Sequence, residues 1–156
     1  MKKILIITLV LFLGLSGSMF AQNKGWAIGG AFYLSWTETA LPTGAALCFK
    51  FPSVPIMFGV SASLIDPVAI GVTADWWLFM THLVGPVSLY IGPGAFLVIN
   101  TAPNAPIDFG LRVPIGFQIF IVPAFEIFLE PAVAVHALPR IPTFGIQASI
   151  GFRFWF

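Results

Sequence analysis

Hydrophobic and polar residues alternate with a period of two along most of the chain after residue 25. The clearest case is the final segment, 143–156, where one set of alternate positions is apolar and the other is mostly small or polar. Its apolar positions are Phe144, Ile146, Ala148, Ile150, Phe152, Phe154 and Phe156. Successive side chains of an extended chain point to opposite faces, so this period predicts β-strands with one apolar face.

The same alternation, interrupted by turns that contain Pro, Gly or Asn, predicts eight strands. They span 25–36, 44–51, 56–65, 68–83, 87–100, 107–120, 125–136 and 143–156. Pro93, Pro114 and Pro131 fall inside these segments, and each removes a hydrogen bond from the ladder. We therefore expect bulges or kinks in the fifth, sixth and seventh strands.

The composition indicates that the outer faces of these strands contact lipid. Hydrophobic residues make up 58% of the chain and charged residues only 8%, whereas about a quarter of the residues of a soluble protein are charged. An unpaired sheet edge is not tolerated in hydrocarbon, so the sheet must close on itself. The predicted fold class is all-β: an eight-stranded antiparallel up-and-down transmembrane β-barrel preceded by a signal peptide.

The first 21 residues have the parts of a secretory signal peptide. Lys2 and Lys3 precede an apolar run at 4–15, and small residues lead to Ala21, after which we expect cleavage. The alternative is an uncleaved anchor helix, but a run of roughly 12 apolar residues is short for a span of about 20. The predicted domains are a signal peptide at 1–21 and a single barrel at 22–156. Cys48 is the only cysteine, which excludes an intramolecular disulfide.

A bundle of membrane helices is the main alternative fold. Residues 76–99 contain no Asp, Glu, Lys or Arg and are long enough to cross a bilayer as a helix. The stretch contains Gly85-Pro86 and Gly92-Pro93-Gly94, which would interrupt such a helix. The period of two in the segments that follow favours strands.

Charged residues are expected to face the interior of the barrel, since a Lys or Arg facing lipid at mid-depth costs about 2–4 kcal/mol. Seven of them occupy the inward phase of their strands: Lys50, Asp75, Asp108, Arg112, Glu126, Glu130 and Arg153. Four others fall in turns or at a strand start: Lys24, Glu38, Asp66 and Arg140. Counting back from the last turn places Glu126 opposite Arg153, a spacing suited to a cross-strand ion pair.

The C-terminal segment 145–156 resembles the insertion signal of the small eight-stranded outer-membrane barrels, typified by the OmpA membrane domain, OmpX and OmpW. Phe152 and Phe154 precede a terminal Phe156, as in that group. The resemblance implies a location in the outer membrane of a diderm bacterium, with both termini periplasmic. It also implies contact with outer-membrane lipids, with the barrel-assembly machinery and with periplasmic chaperones. We expect a monomer. The connections predicted to face outside are short, which argues against an adhesin or receptor role.

Two functions fit the interior predicted by this pattern. Near-balanced charges and large side chains would fill a barrel that is just wide enough to hold them, giving a structural protein of the envelope. The large inward side chains are Trp77, Phe79, Tyr90, Phe96, Phe128 and Trp155. Alternatively, the many inward glycines would leave a narrow OmpW-like channel for small or apolar solutes. A barrel-type lipid-modifying enzyme is a weaker alternative.

No residue cluster indicates catalysis, a cofactor or a metal. His82 and His136 are the only histidines, and they fall on different strands; His82 is predicted to face outward near the periplasmic rim. Neither has a second metal ligand at suitable spacing. Outside the signal segment, five basic residues face six acidic ones, which gives no reason to expect nucleic-acid binding. Trp26 and Trp36 lie near predicted membrane boundaries and suit interfacial anchoring.

Overall fold

The computed structural model describes residues 25–35, 43–64, 68–105, 107–138 and 143–156. These residues form ten strands. They are β1 (Ala27–Ser35), β2 (Gly44–Lys50), β3 (Ile56–Ser63), β4 (Ala69–Trp76), β5 (Phe79–Val84), β6 (Val87–Ile91), β7 (Gly94–Asn100), β8 (Asp108–Val122), β9 (Phe125–Leu138) and β10 (Thr143–Trp155). The signal segment, Trp36 and the charged residues Lys24, Glu38, Asp66 and Arg140 lie outside the described residues.

The ten strands make eight barrel strands, because two of the eight are each interrupted once. The long strand β8 pairs with β7 through residues 108–112 and with β6 through 115–119, so β6 and β7 are two parts of one strand. β4 and β5 are likewise two parts of their neighbour. All pairings are antiparallel, and the pairs β1–β10 and β8–β9 close the ring. The predicted eight-stranded antiparallel barrel is confirmed.

No helix within the described ranges is long and apolar enough to cross a membrane. Residues 76–99, which hydropathy alone would accept as a spanning helix, instead lie largely in strands β5, β6 and β7.

The strands are staggered, and the stagger can be followed through the pairing. From Ile28, the register leads in one direction through β2, β3, β4, β7 and β8 to Val135 on β9. In the other direction it leads through Phe154 to Phe125 on the same strand. The two end points are ten residues apart, which is the shear of the barrel and requires strands that tilt strongly against its axis.

The fourth barrel strand contains a bulge at Trp77 and Leu78. Asp75 pairs with Gly94, whereas Phe79 pairs with Ile91, so four steps on one strand match three on its neighbour. An extra residue of this kind reverses which face later side chains occupy. Trp77 stays buried, but Phe79 is 38% exposed. The prediction that Phe79 fills the lumen is therefore wrong.

The bulge also changes the side taken by His82. This residue pairs with Ser88, which is buried inside the barrel, so the two share the inward phase. The predicted outward orientation of His82 is therefore wrong, and the bulge is again the reason. His82 is nevertheless exposed, because it lies close to the Gly85-Pro86 turn at the end of the wall.

The three strand prolines have different effects. Pro93 lies in the break between β6 and β7, where the register against β8 does not shift, and Pro114 and Pro131 lie inside the continuous strands β8 and β9. The pairing of β8 with β9 shifts register only near Phe109 and near Phe120, not at either proline. The expected bulges at Pro114 and Pro131 are therefore wrong.

Candidate functional site

Every Asp, Glu, Lys and Arg in the described part of the chain is buried inside the barrel. They are Lys50, Asp75, Asp108, Arg112, Glu126, Glu130 and Arg153, and each is at most 8% exposed. The alternation that directs them inward also directs the apolar side chains outward. Ile150 at 52% and Leu129 at 49% exposure are examples on β10 and β9. The interior of the barrel is therefore the candidate site.

Arg112, on β8, contacts side chains from three other strands at the centre of this interior. Its Nε lies 3.0 Å from Oδ1 of Asp75, and its Nη2 pairs with Glu130. Its Nη1 donates to the Oε1 of Gln147 at 3.2 Å. The guanidinium on β8 thus binds groups on β4, β9 and β10, so its charge is compensated from several directions.

Arg153 forms a second centre nearer the chain termini. It pairs with Glu126, as the turn spacing predicted, and its Nη2 donates to the Tyr90 hydroxyl at 3.2 Å. The same Nη2 lies 3.9 Å from Oε2 of Glu130. Tyr90 in turn donates to Glu130, which also pairs with Arg112. Glu130 therefore connects the two arginines.

Aromatic rings surround the Arg153 centre. The guanidinium carbon lies 3.5 Å from the centroid of the Phe128 ring and 5.1 Å from that of Trp77. Trp77 stacks on Tyr90 with their centroids 4.3 Å apart. A cation over the face of an aromatic ring is stabilised by the ring's quadrupole, and more so when both are desolvated. These rings fill the terminus-side half of the lumen.

The remaining two charged residues lie away from this centre. Lys50, at the end of β2, places its Nζ 3.4 Å from the Phe51 carbonyl and 5.9 Å from the Trp155 ring centroid. Asp108 lies at the opposite end of the barrel and contacts Nδ1 of His136 at 2.8 Å. His136 packs edge-on against Phe96, with ring centroids 5.0 Å apart.

Inward glycines provide room for these large side chains. A Cβ built on Gly116 would overlap the Tyr90 ring, and one on Gly110 would lie 2.6 Å from the end of the Phe96 ring. Both rings are almost completely buried. These glycines therefore accommodate neighbouring side chains and do not line open space.

Two glutamines belong to the network and were not considered in the sequence analysis. Gln118 donates to both carboxylate oxygens of Glu126, at 3.3 and 3.2 Å, and Gln147 accepts from Arg112. Both occupy inward positions of strands whose phase was already assigned. Their polar side chains on the inward phase are the sequence signal that could have predicted their place in the network.

The aromatic residues predicted as membrane anchors lie on the outside. Trp26, Phe152, Phe154 and Phe156 are all exposed. Phe152 and Phe154 pack with Phe125, the latter with ring centroids 4.9 Å apart, and form an outer aromatic cluster near the termini. Such clusters are typical of the interfacial girdles of membrane barrels.

The two histidines do not come together. His136 lies towards the end of the barrel away from the termini, whereas His82 lies beside the Gly85-Pro86 turn at the terminus end. Across the described ranges, no group of three or more His, Cys, Asp or Glu side chains is placed to hold a metal ion.

Three solved structures resemble this barrel. The N-terminal β-barrel domain of Pseudomonas aeruginosa OprF gives a TM-score of 0.57 at 12% identity, covering 86% of this chain and 98% of that domain. Neisserial surface protein A gives 0.48 at 14% identity, with 84% and 96% covered. Yersinia pestis outer-membrane protein Ail gives 0.45 at 16%, with 85% and 100% covered.

No family model and no curated protein matches the sequence. The similarity to the OprF domain concerns the fold alone. It confirms the resemblance that the C-terminal segment suggested, since this chain has the fold of the small, eight-stranded, integral outer-membrane barrels.

Proposed function

We propose that this protein is a structural component of the outer membrane, a barrel whose interior is closed by its own side chains. The observation that carries the proposal is the buried network in which Glu130 connects Arg112 and Arg153. Five of its six direct members lie on strands β4, β6, β8 and β9, and Arg153 lies on β10, so the network crosses the lumen. The other three members are Asp75, Tyr90 and Glu126.

The pairing of buried charges supports a closed interior over an open one. A buried charge is costly unless it is paired and hydrogen-bonded. Here two arginines face three carboxylates at close range, and the Tyr90 hydroxyl and the Trp155 indole N–H supply further hydrogen bonds. Each charged group of this set therefore has an oppositely charged partner within the protein.

The proposal includes the setting of the protein. A signal peptide at 1–21 would be removed on export, and the barrel at 22–156 would contact outer-membrane lipids as a monomer. The barrel-assembly machinery and periplasmic chaperones would handle it during biogenesis. The outward apolar face and the aromatic cluster near Phe154 support this setting.

Planar-bilayer recording tests the closed lumen. Purified protein is reconstituted at a known protein-to-lipid ratio, and folding is verified by circular dichroism and by a shift in gel migration on boiling. We expect no stepwise conductance from the folded protein. Regular steps that disappear when boiled protein is used would refute the closed barrel.

A narrow channel for small or apolar solutes is the second candidate. It is favoured by buried polar atoms that have no protein partner among the described residues, such as Nε2 of His136 and Oγ of Ser61. Buried polar groups are almost always hydrogen-bonded, so ordered water is expected at these atoms. The conductance measurement separates isolated internal water from a continuous path.

A further inference from the structure

The strands on one side of the barrel are much shorter than those on the other side. Strands β2 and β3 contain 7 and 8 residues, whereas β8 and β9 contain 15 and 14. A membrane-spanning strand needs about 9–11 residues at a tilt of about 45°. Both strands of the β2–β3 hairpin are therefore shorter than this length, and both strands of the β8–β9 hairpin are longer.

The pairing register shows that the wall is shortened at the end of the barrel where the chain termini lie. A line of pairing runs from the β8–β9 turn at Ala124 through Trp155 and Ala27 to Lys50, the last residue of β2. Neighbouring strands lie about 4.8 Å apart and tilt by about 40°, so each step along this line rises by about 3 Å along the barrel axis. Three steps place the end of β2 about 10 Å further from the terminus-side rim than Ala124.

Strand β5 confirms that the wall is incomplete beside this hairpin. Ile56, the first residue of β3, pairs with Trp76, and the last bond across this seam is from the Trp77 N–H to the Pro55 carbonyl at 2.9 Å. Beyond it, β5 pairs only with β6 among the described strands. The region bounded by the 51–55 turn, the start of β1 and the edge of β5 is hereafter called the notch.

Aromatic side chains cluster on the outer surface beside the notch. Trp26 and Phe51 pack edge-to-face with ring centroids 5.0 Å apart, and Phe49 and Phe58 extend the cluster. On the high wall, the corresponding cluster is the one near Phe154, beside the β8–β9 turn. Girdle aromatics mark the boundary between hydrocarbon and headgroups. The notch cluster begins at Trp26, which pairs with Phe156 on the high wall, and extends along β2 and β3 away from the terminus-side rim.

We propose that the bilayer is locally thinned at the notch, so that lipid headgroups and their water occupy it. This inference rests on the proposed membrane location. An unpaired strand edge is not tolerated in hydrocarbon, and headgroups would supply its hydrogen bonds. The exposed Ser53 at the tip of the turn suits a hydrated headgroup layer. A strand short for the bilayer is accommodated by thinning.

Depth measurements at two turns test the proposal. In a Cys48→Ala background, Ser53→Cys and Ala124→Cys are labelled singly with a nitroxide after folding into dioleoylphosphatidylcholine vesicles. Depth is read from collisions with oxygen, which partitions into hydrocarbon, and with a water-soluble nickel complex. We expect both labels to be accessible to nickel and to lie at similar depth relative to the local phosphates.

Three other results would overturn the inference. A Ser53 label that is oxygen-accessible and about 10 Å deeper than the Ala124 label would place the notch in undisturbed hydrocarbon. A nickel-accessible Ser53 label with an Ala124 label in hydrocarbon would show that the barrel tilts instead. Strong coupling between copies labelled at Leu83→Cys, on β5, would show that a second copy covers the edge, and this would also refute the proposal.

Lipid chain length provides a second measurement. If thinning is required, the urea midpoint of unfolding should fall as the acyl chains lengthen from 12 to 18 carbons. A midpoint that stays constant or rises would contradict thinning. Heat-modifiable gel migration is recorded in every sample as a control for folding. Its loss would count against the folded barrel in the membrane. If it is retained while the label depths contradict the expectation, only the proposed thinning at the notch is refuted.

Discussion

Replacing Arg153 by alanine removes the charge that compensates Glu126. Arg153 is 1% exposed and Glu126 is fully buried, so water cannot enter to solvate the remaining carboxylate without disturbing the packing. Removing one partner of a buried ion pair costs about 3–5 kcal/mol. The packing of the guanidinium on Phe128, at 3.5 Å, is lost as well. We therefore expect Arg153→Ala to lie at the upper part of this range.

The assay is urea unfolding in detergent or short-chain vesicles, followed by the change in gel migration on boiling. With a denaturant slope of about 2 kcal/mol per M, the midpoint should fall by about 2–2.5 M. Gln118 and Trp155 still donate hydrogen bonds to Glu126, which limits the loss.

The double variant Arg153→Met/Glu126→Gln is the matched control. It removes both charges with little change in volume, so its midpoint should recover most of the loss. An unchanged midpoint for Arg153→Ala would refute the reasoning. A double variant as unstable as the single one would show that packing, and not charge, is responsible.

Two further pairs of substitutions test the inner and outer faces of the wall. Gly116→Ala should lower stability by about 1–3 kcal/mol because its Cβ overlaps Tyr90, whereas Gly30→Ala, whose Cβ would meet ordinary contacts, should be neutral by the same unfolding assay. Equal effects at both glycines would contradict the packed lumen. Ile150→Arg, on the outer face, should cost about 2–4 kcal/mol in vesicles, and Trp26→Arg at the boundary about 0–1. A tolerated Ile150→Arg would show that this face does not contact hydrocarbon.

The positions of the charges could be predicted because one constraint dominates them. In a strand, a charge faces either lipid or the interior, and the cost of the lipid face leaves a single choice. The pairing of Glu126 with Arg153 could be predicted from a second constraint, because a short turn fixes the register of two long strands. For these residues the alternation along the chain was sufficient.

The bulge at Trp77 and Leu78 could not be predicted in the same way. The segment around it is apolar on both phases, so the alternation carries no signal when the phase reverses. Its cause lies on the neighbouring strand, where Gly92 allows the Trp76 carbonyl and the Leu78 N–H to approach closely. Phe79 and His82 were assigned to the wrong face because this contact is between strands.

The prolines show a related limit. Pro114 is almost fully buried within β8, yet the register on either side of it is the same. A missing N–H donor removes a hydrogen bond but does not require an extra residue. The sequence identifies where the ladder is weakened, whereas the response of the backbone depends on the strands beside it.

The network that joins Arg112, Glu130 and Arg153 has a consequence for how the protein is made. Its members come from strands spread over half the circumference, and the far half of the wall shields them only when β1 meets β10. Until that seam forms, the charges sit on the open polar side of a curved sheet and keep their hydration shells. The interior is therefore fully enclosed only when the two ends of the barrel wall join at the seam between β1 and β10.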